Sequence, residues 1–247
     1  MNGKGITGRL KILLAAGVLL LGTGGCSGKK TDEVERIKNA GQLRVAIVDT
    51  SSQYTYLENG APRGIEPELS EYIAQALGVE ARYQVLDRAG ALEAVNAGEA
   101  DMALGSISRS GSLSAEYLTS TPYAKGFFYA VTNRGDYVSS VGALKASVVG
   151  VNRNLDEGTR SQLYGAEEVS VVDYSSVQNA AQDLKSGAIR AYICYENQAK
   201  QLLEDPDLQV QNIVNLEPEE FVIAAPKADQ ALISGIDTLI RQYLEKE

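Results

Sequence analysis

AVNAGEADMAL (Ala94–Leu104) packs a helix end, a glycine at Gly98 and a buried strand through Met102–Leu104 into eleven residues. A glycine just past an apolar helical stripe stops a helix, and a short apolar run soon after it starts a strand. DLKSGAIRAYI (Asp183–Ile193) follows the same plan, with Gly187 as the stop and Ile189–Cys194 as the strand. Working outward from the first copy, Leu43–Val48 reads as a buried strand. Leu69, Tyr72, Ile73, Ala76 and Leu77 then form a helical stripe that begins at Glu66, carries Pro67 in its first turn and ends before Gly78. Ala81–Leu86 is strand-like, and a short helix runs around Leu92 and Val95. This strand–helix–strand–helix–strand order predicts a largely parallel sheet covered by helices.

The order then begins again. Ser147–Val151 is a strand, Val177, Ala180, Ala181 and Leu184 make a helical stripe, and the second copy follows. Two α/β units of similar plan are expected, with no low-complexity stretch and no short-period repeat. Between them Gly126–Thr132 reads as one long strand. After them Glu220–Ala225 reads as another, followed by a helix with Leu232, Ile233, Ile236, Leu239, Ile240, Tyr243 and Leu244 on one face. Two such crossings would make a two-stranded hinge, about which a cleft could open and close.

The N-terminus has the layout of a secretory signal. Lys4, Arg9 and Lys11 precede the apolar run Ile12–Leu21, which is too short to span a bilayer. Small residues Gly22–Gly25 lead to Cys26, so residues 1–25 read as a signal peptide and Cys26 as a lipidated first mature residue. The residue three before the cysteine is Thr23, where an aliphatic one usually stands. An ordinary signal peptide with an incidental cysteine is the other reading. Loss of residues 1–25 removes three positive charges and no negative ones, moving the formal charge from −9 to −12. A surface so acidic argues against nucleic acid or an anionic membrane face as partner. Cys194 is then the only other cysteine, and it reads as a small buried hydrophobe.

Much catalytic chemistry is excluded. The chain contains no histidine, which removes Ser–His–Asp and Cys–His nucleophile systems and histidine metal sites. No glycine-rich phosphate loop follows a strand. Carboxylates such as Glu217, Glu219 and Glu220 read as solvated surface. No enzyme activity, cofactor or metal is expected.

Several segments in order resemble one known group. GQLRVAIVDT (Gly41–Thr50), NGAPRGIEPELSEYIAQALGV (Asn59–Val79), LEAVNAGEADMALGSIS (Leu92–Ser108), STPYAKG (Ser120–Gly126), SVVGVN (Ser147–Asn152) and DLKSGAIRAYI resemble the periplasmic-type solute-binding proteins of polar amino-acid ABC transporters. The resemblance covers about Gly41 to Leu244. It implies a two-lobed α/β fold of the periplasmic-binding-protein type II kind, each lobe a mostly parallel sheet with flanking helices, joined by the two-stranded hinge. The expected boundaries are a tether and lead-in at 26–41, lobe 1 at 42–130 plus 219–247, and lobe 2 at 131–218. The implied partners are a small polar ligand and a permease in the cytoplasmic membrane, with the protein outside that membrane, a monomer held by lipid on Cys26.

The ligand-holding positions depart from the family. Its first-lobe arginine, which forks an α-carboxylate, falls on Leu113; its second-lobe aspartate, which pairs with an α-amino group, falls on Tyr195. Leucine cannot replace a bidentate guanidinium. The family's Gly-Thr at the start of a second-lobe helix falls either on Asn154-Leu155-Asp156 or, with a three-residue insertion, on Gly158-Thr159. What the resemblance carries over as ligand-binding is Tyr54, Tyr56, Arg88, Ser106, Ser108, Arg109, Asn152, Asp156 and Tyr195. Arg88 and Arg109 could equally be surface charges, and Tyr54 and Tyr56 edge packing. Glu66 and Glu68 read as helix N-terminal charges. Such a cleft suits an anionic or hydroxyl-rich molecule, or a modified amino acid. Two other readings stay open: an exported dehydratase of the cyclohexadienyl type using Glu196 or Asp156, and a sensor lipoprotein that has lost solute binding.

Overall fold

A computed structural model describes residues 33–153, 155, 157–165 and 168–246. Residues 1–25, read from sequence as a signal peptide, lie outside the described residues, as do Cys26 and Asp156. The first sheet grows around β1 (Gln42–Val48), whose interior Leu43, Val45, Ala46 and Ile47 are buried on both faces, as a central parallel strand requires. It pairs in parallel with β4 (Glu80–Leu86) over its whole length, and with β5 (Met102–Leu104). Between these strands lie a hairpin of β2 (Tyr56–Glu58) and β3 (Ala61–Arg63), helix α2 (Ile65–Leu77) and helix α3 (Arg88–Asn96). The hairpin turns on Asn59-Gly60, both at positive φ, as a two-residue turn between twisted strands demands. Gly78, left-handed, ends α2 by donating its N–H to Ala74 and Gln75 carbonyls.

Helix α4 (Gly111–Glu116) and β6 (Leu118–Thr119) complete this part, and β6 enters the sheet beside the returning β14 (Ala224–Ala225), giving the order β4-β1-β5-β14-β6. On one face Ile37, Leu69, Ile73, Leu232, Ile233, Ile236 and Ile240 pack on the strands. They come from α1 (Glu33–Ala40), α2 and α8 (Gln230–Leu244). Residues 33–40 therefore do not belong to the lead-in expected over 26–41: Ile37 is fully buried in this core. The other face takes Ala91 and Val95 from α3, Ile107 from the loop after β5, and Leu113 from α4.

The second sheet has the order β10-β9-β11-β8-β12, with β9 (Val148–Asn152), β10 (Ser170–Tyr174) and β11 (Ala191–Tyr195) parallel. The strand β8 (Phe128–Asn133) runs antiparallel between β11 and β12 (Leu208–Asn212). Helices α5 (Glu157–Tyr164), α6 (Val177–Ser186) and α7 (Glu196–Lys200) belong to this unit. The echo of the first unit is structural: α6 ends at left-handed Gly187 and leads into β11.

The two crossings form their own ladder. β7 (Ala124–Gly126) pairs antiparallel with β13 (Glu219–Phe221). The two long strands expected here are each divided, because a chain passing from one sheet to the other must change partners: Phe127 separates β7 from β8, and Val222-Ile223 separates β13 from β14. All of β8 lies in the second sheet, so the first crossing falls at 124–126 rather than at 130/131.

Candidate functional site

Loops at the carboxyl ends of parallel strands from both sheets meet between the lobes. Thr50, Ser52 and Tyr54 follow β1, Arg88 follows β4, Ser106 follows β5, Asn152 and Tyr195 end β9 and β11, and Asn197 and Gln198 follow β11. With Phe221 of the ladder they line a slot of about 50 Å³. Such sheets place ligands at this end, because there the loops diverge and leave backbone groups unpaired. Asn197 Nδ2 donates to the Ser51 carbonyl at 3.4 Å across the gap, so the lobes are drawn together.

The first-lobe wall is built on a buried carboxylate. Glu66, fully buried, accepts hydrogen bonds from Thr55 Oγ1, Tyr123 OH and, at 2.6 Å, the Ser106 N–H. Burial raises its pKa above the ordinary 4.5, against the opposing pull of those donors and the nearby Arg88 charge. Burial and the Glu66 charge likewise push the Tyr123 hydroxyl up. Glu66 is thus more than the helix N-terminal charge read from sequence. The Ser106 N–H reaches it because Gly105 and Ser106 both take positive φ, 137° and 49°; a Cβ on Gly105 would meet Val48 Cβ at 2.3 Å. The Ser106 carbonyl then faces outward and accepts from Arg88 Nη2 at 3.1 Å, which aims the half-buried guanidinium along the slot. The loop carrying Tyr54 is fixed in the same way. The carbonyls of Gln53 and Tyr54 accept the first N–H groups of α2 at 3.1 and 2.9 Å, an approach that Gly64 at φ 110° permits.

A second buried carboxylate joins the lobes. Glu219, in β13, accepts from Ser108 Oγ of the first lobe and from Tyr195 OH and Thr159 Oγ1 (3.0 Å) of the second. It is 5% exposed, so it is no part of the solvated acidic surface expected for Glu217, Glu219 and Glu220. The aromatic floor beside it is continuous: Tyr54 meets Phe221 edge-on at 5.1 Å, and Tyr195 lies 6.1 Å from Phe221 and 5.2 Å from Phe128.

Of the expected ligand positions, Tyr54, Arg88, Ser106, Asn152 and Tyr195 line the slot together. Tyr56 lines a wider chamber beside it. Ser108 is buried against Glu219 and lies outside the slot. Arg109 also stands apart: its guanidinium is satisfied by the Ser120 carbonyl at 2.6 Å and by Glu220 at 3.4 Å, which turns it along the ladder and away from the slot. Leu113 packs in the first-lobe core, so no cation stands at that position. Thr159, from the alternative Gly158-Thr159 placement, sits buried in the first turn of α5. Glu196, the described one of the two carboxylates named for proton transfer, pairs with Lys200 at 2.8 Å. Sequence reasoning missed Glu219, Phe221, Asn197 and Gln198. The alternation of a half-buried strand carries the first two; Asn197 and Gln198 follow β11 with no local signal. Among the described residues no group of His, Cys, Asp and Glu could hold a metal.

Comparison with known proteins agrees with this architecture. The model of bacterial extracellular solute-binding proteins, family 3, matches residues 43–247. The L-cystine-binding protein TcyJ of Escherichia coli (strain K12) is 27% identical over 165 residues, 65% of this chain and 61% of its own length. The chain thus aligns with under two thirds of that relative. The amino-acid ABC transporter substrate-binding protein AbpA of Streptococcus pneumoniae, solved with L-arginine, superposes with a TM-score of 0.68 at 26% identity over 86% of this chain and 92% of its own. An ancestral amino-acid-binding protein, a precursor of cyclohexadienyl dehydratase, gives a TM-score of 0.70 at 18% identity over 87% of this chain and 94% of its own, a likeness of fold.

Proposed function

Since the chain belongs to the bacterial extracellular solute-binding proteins, family 3, we propose that it captures a small polar solute outside the cytoplasmic membrane for an ABC permease. The observation that carries this is the convergence of strand-end loops from both sheets on one slot. Arg88 is the charged group among its described lining residues, accompanied by hydroxyls of Thr50, Ser52, Ser106 and the tyrosines, and by amides of Asn152, Asn197 and Gln198. Such a lining suits a carboxylate, another anion or a hydroxyl-rich group. Closure would bury these donors, and a solute lacking matching acceptors would leave them unpaired at a cost of about 1–3 kcal/mol each. With Leu113 in the core and Tyr195 tied to Glu219, a plain α-amino acid would find neither a first-lobe arginine fork nor a second-lobe aspartate at those positions. The relatives' cystine and arginine therefore give the class of solute, amino-acid-like, rather than its identity. The protein acts as a monomer, and Cys26, once lipidated, keeps it beside the permease.

Native mass spectrometry of gently purified protein tests the reading by giving the mass of a co-purified solute. Arg88→Ala should then weaken that solute by tenfold to a hundredfold, about 1.5–3 kcal/mol for a hydrogen bond to a charged group. Unchanged affinity would remove Arg88 from the site. No stabilisation by a broad metabolite panel would favour a sensor without solute binding. Palmitate labelling that persists in Cys26→Ala would exclude the anchor.

A further inference from the structure

The slot is too small for a whole solute. Ligand sites generally enclose roughly 300–1,000 Å³; the slot holds about 50 Å³, the space of one carboxylate-sized group. Beside it lies a chamber of about 380 Å³, which shares Ser52, Tyr54, Tyr195 and Asn197 with the slot. Its other walls come from both lobes and the ladder and include Tyr56 of β2, Lys125 and Gly126 of β7, Phe127, and Glu196 and Lys200 of α7.

Two of these walls are aromatic and exposed. Phe127 is 60% exposed and Tyr56 43% exposed. Neither belongs to a core cluster, so core packing does not account for them. Flat, apolar and open to solvent, they are the kind of surface that a planar or ring-shaped partner covers with gain. Phe127 belongs to neither sheet, because the chain passes from β7 to β8 at this residue.

Resting on the capture reading, we infer that the solute is bipartite. A small anionic or hydroxyl-bearing head enters the slot toward Arg88, and a ring-bearing body lies in the chamber against Phe127 and Tyr56. The slot selects the head by hydrogen bonding, and the chamber selects the body by its flat apolar area. Phe127 is then a specificity-determining residue that touches the body alone.

Calorimetry with two matched pairs tests this on the purified protein: L-serine against N-benzoyl-L-serine, and D-glucuronate against phenyl β-D-glucuronide. The expected result is binding at least tenfold tighter for the ring-bearing member of one pair. That advantage should be lost in Phe127→Ala, and reduced in Phe127→Leu, which keeps apolar bulk but no flat face. A parent compound that binds as tightly as its ring-bearing partner, or an advantage that survives in Phe127→Ala, overturns the bipartite solute and leaves capture standing. If neither pair nor any member of a broad metabolite panel raises the melting temperature, the capture reading falls, and this inference with it.

Discussion

Glu66 shows how one residue sets both the architecture of the site and its pH response. Its three donors come from the loop before the hairpin, from the strand end at Ser106 and from Tyr123, so a single carboxylate locks the first-lobe wall. Burial favours its protonated form, so between the ordinary value of 4.5 and the raised native value the folded chain binds more protons than the unfolded one. Stability from this group therefore falls as pH rises through that window. Glu66→Gln, neutral throughout, should flatten that slope; denaturant unfolding from pH 4.5 to 8 measures it, and parallel curves for the two proteins would contradict the assignment. Asp136 works in the opposite sense. Its bonds to the Arg190 guanidinium hold it below its ordinary value of 3.8, so its contribution is present above that value and lost as pH falls through the lowered one.

At the scale of elements, the chain's own punctuation was informative. Gly78 and Gly187 stop α2 and α6 where the apolar stripes end, and the strands that follow lie within two residues of their expected limits. Ser106 could be expected at the slot because it stands at the carboxyl end of a strand, where sheets of this kind bind, whereas Arg88 and Asn152 rested on the family resemblance alone. What stayed hidden depended on contacts distant in sequence. Glu219 sits among acidic neighbours, and only its pairing in β13 turns it inward while Glu220 turns outward. Phe127 falls near the start of the strand expected over Gly126–Thr132, which the ladder divides at this residue. The Asn59-Gly60 turn carried a local signal that went unread. Helix α1 is eight residues with one buried side chain, too short for periodicity to reveal, yet Ile37 packs with α8 against β1. Ile37→Ala should cost about 2–5 kcal/mol in urea unfolding, the range for a large-to-small core change. A change under about 0.5 kcal/mol would show that α1 is not part of the folded lobe.

For the molecule as a whole, Glu219 links hinge, first lobe and second lobe through Ser108, Thr159 and Tyr195. Lobe separation about the β7–β13 ladder would have to break at least part of this set, so on the capture reading Glu219 lowers the cost of closing on a solute. Glu219→Gln places an amide donor among hydroxyl donors and should weaken solute affinity about tenfold, on the order of 1.4 kcal/mol. Calorimetry with the co-purified solute reads this, and equal affinity in the two proteins would show that the set plays no part in closure. The central claim, that a solute is gripped between two closing lobes, is tested most directly by the distance between them. Spin labels at Glu80→Cys in the first lobe and Tyr137→Cys in the second, both exposed, report it in a chain with Cys26→Ser, since Cys194 is buried and its thiol pushed up by burial. Adding the solute should collapse a broad distance distribution to one short, narrow peak. A distribution that does not change while calorimetry shows the solute bound would contradict the account.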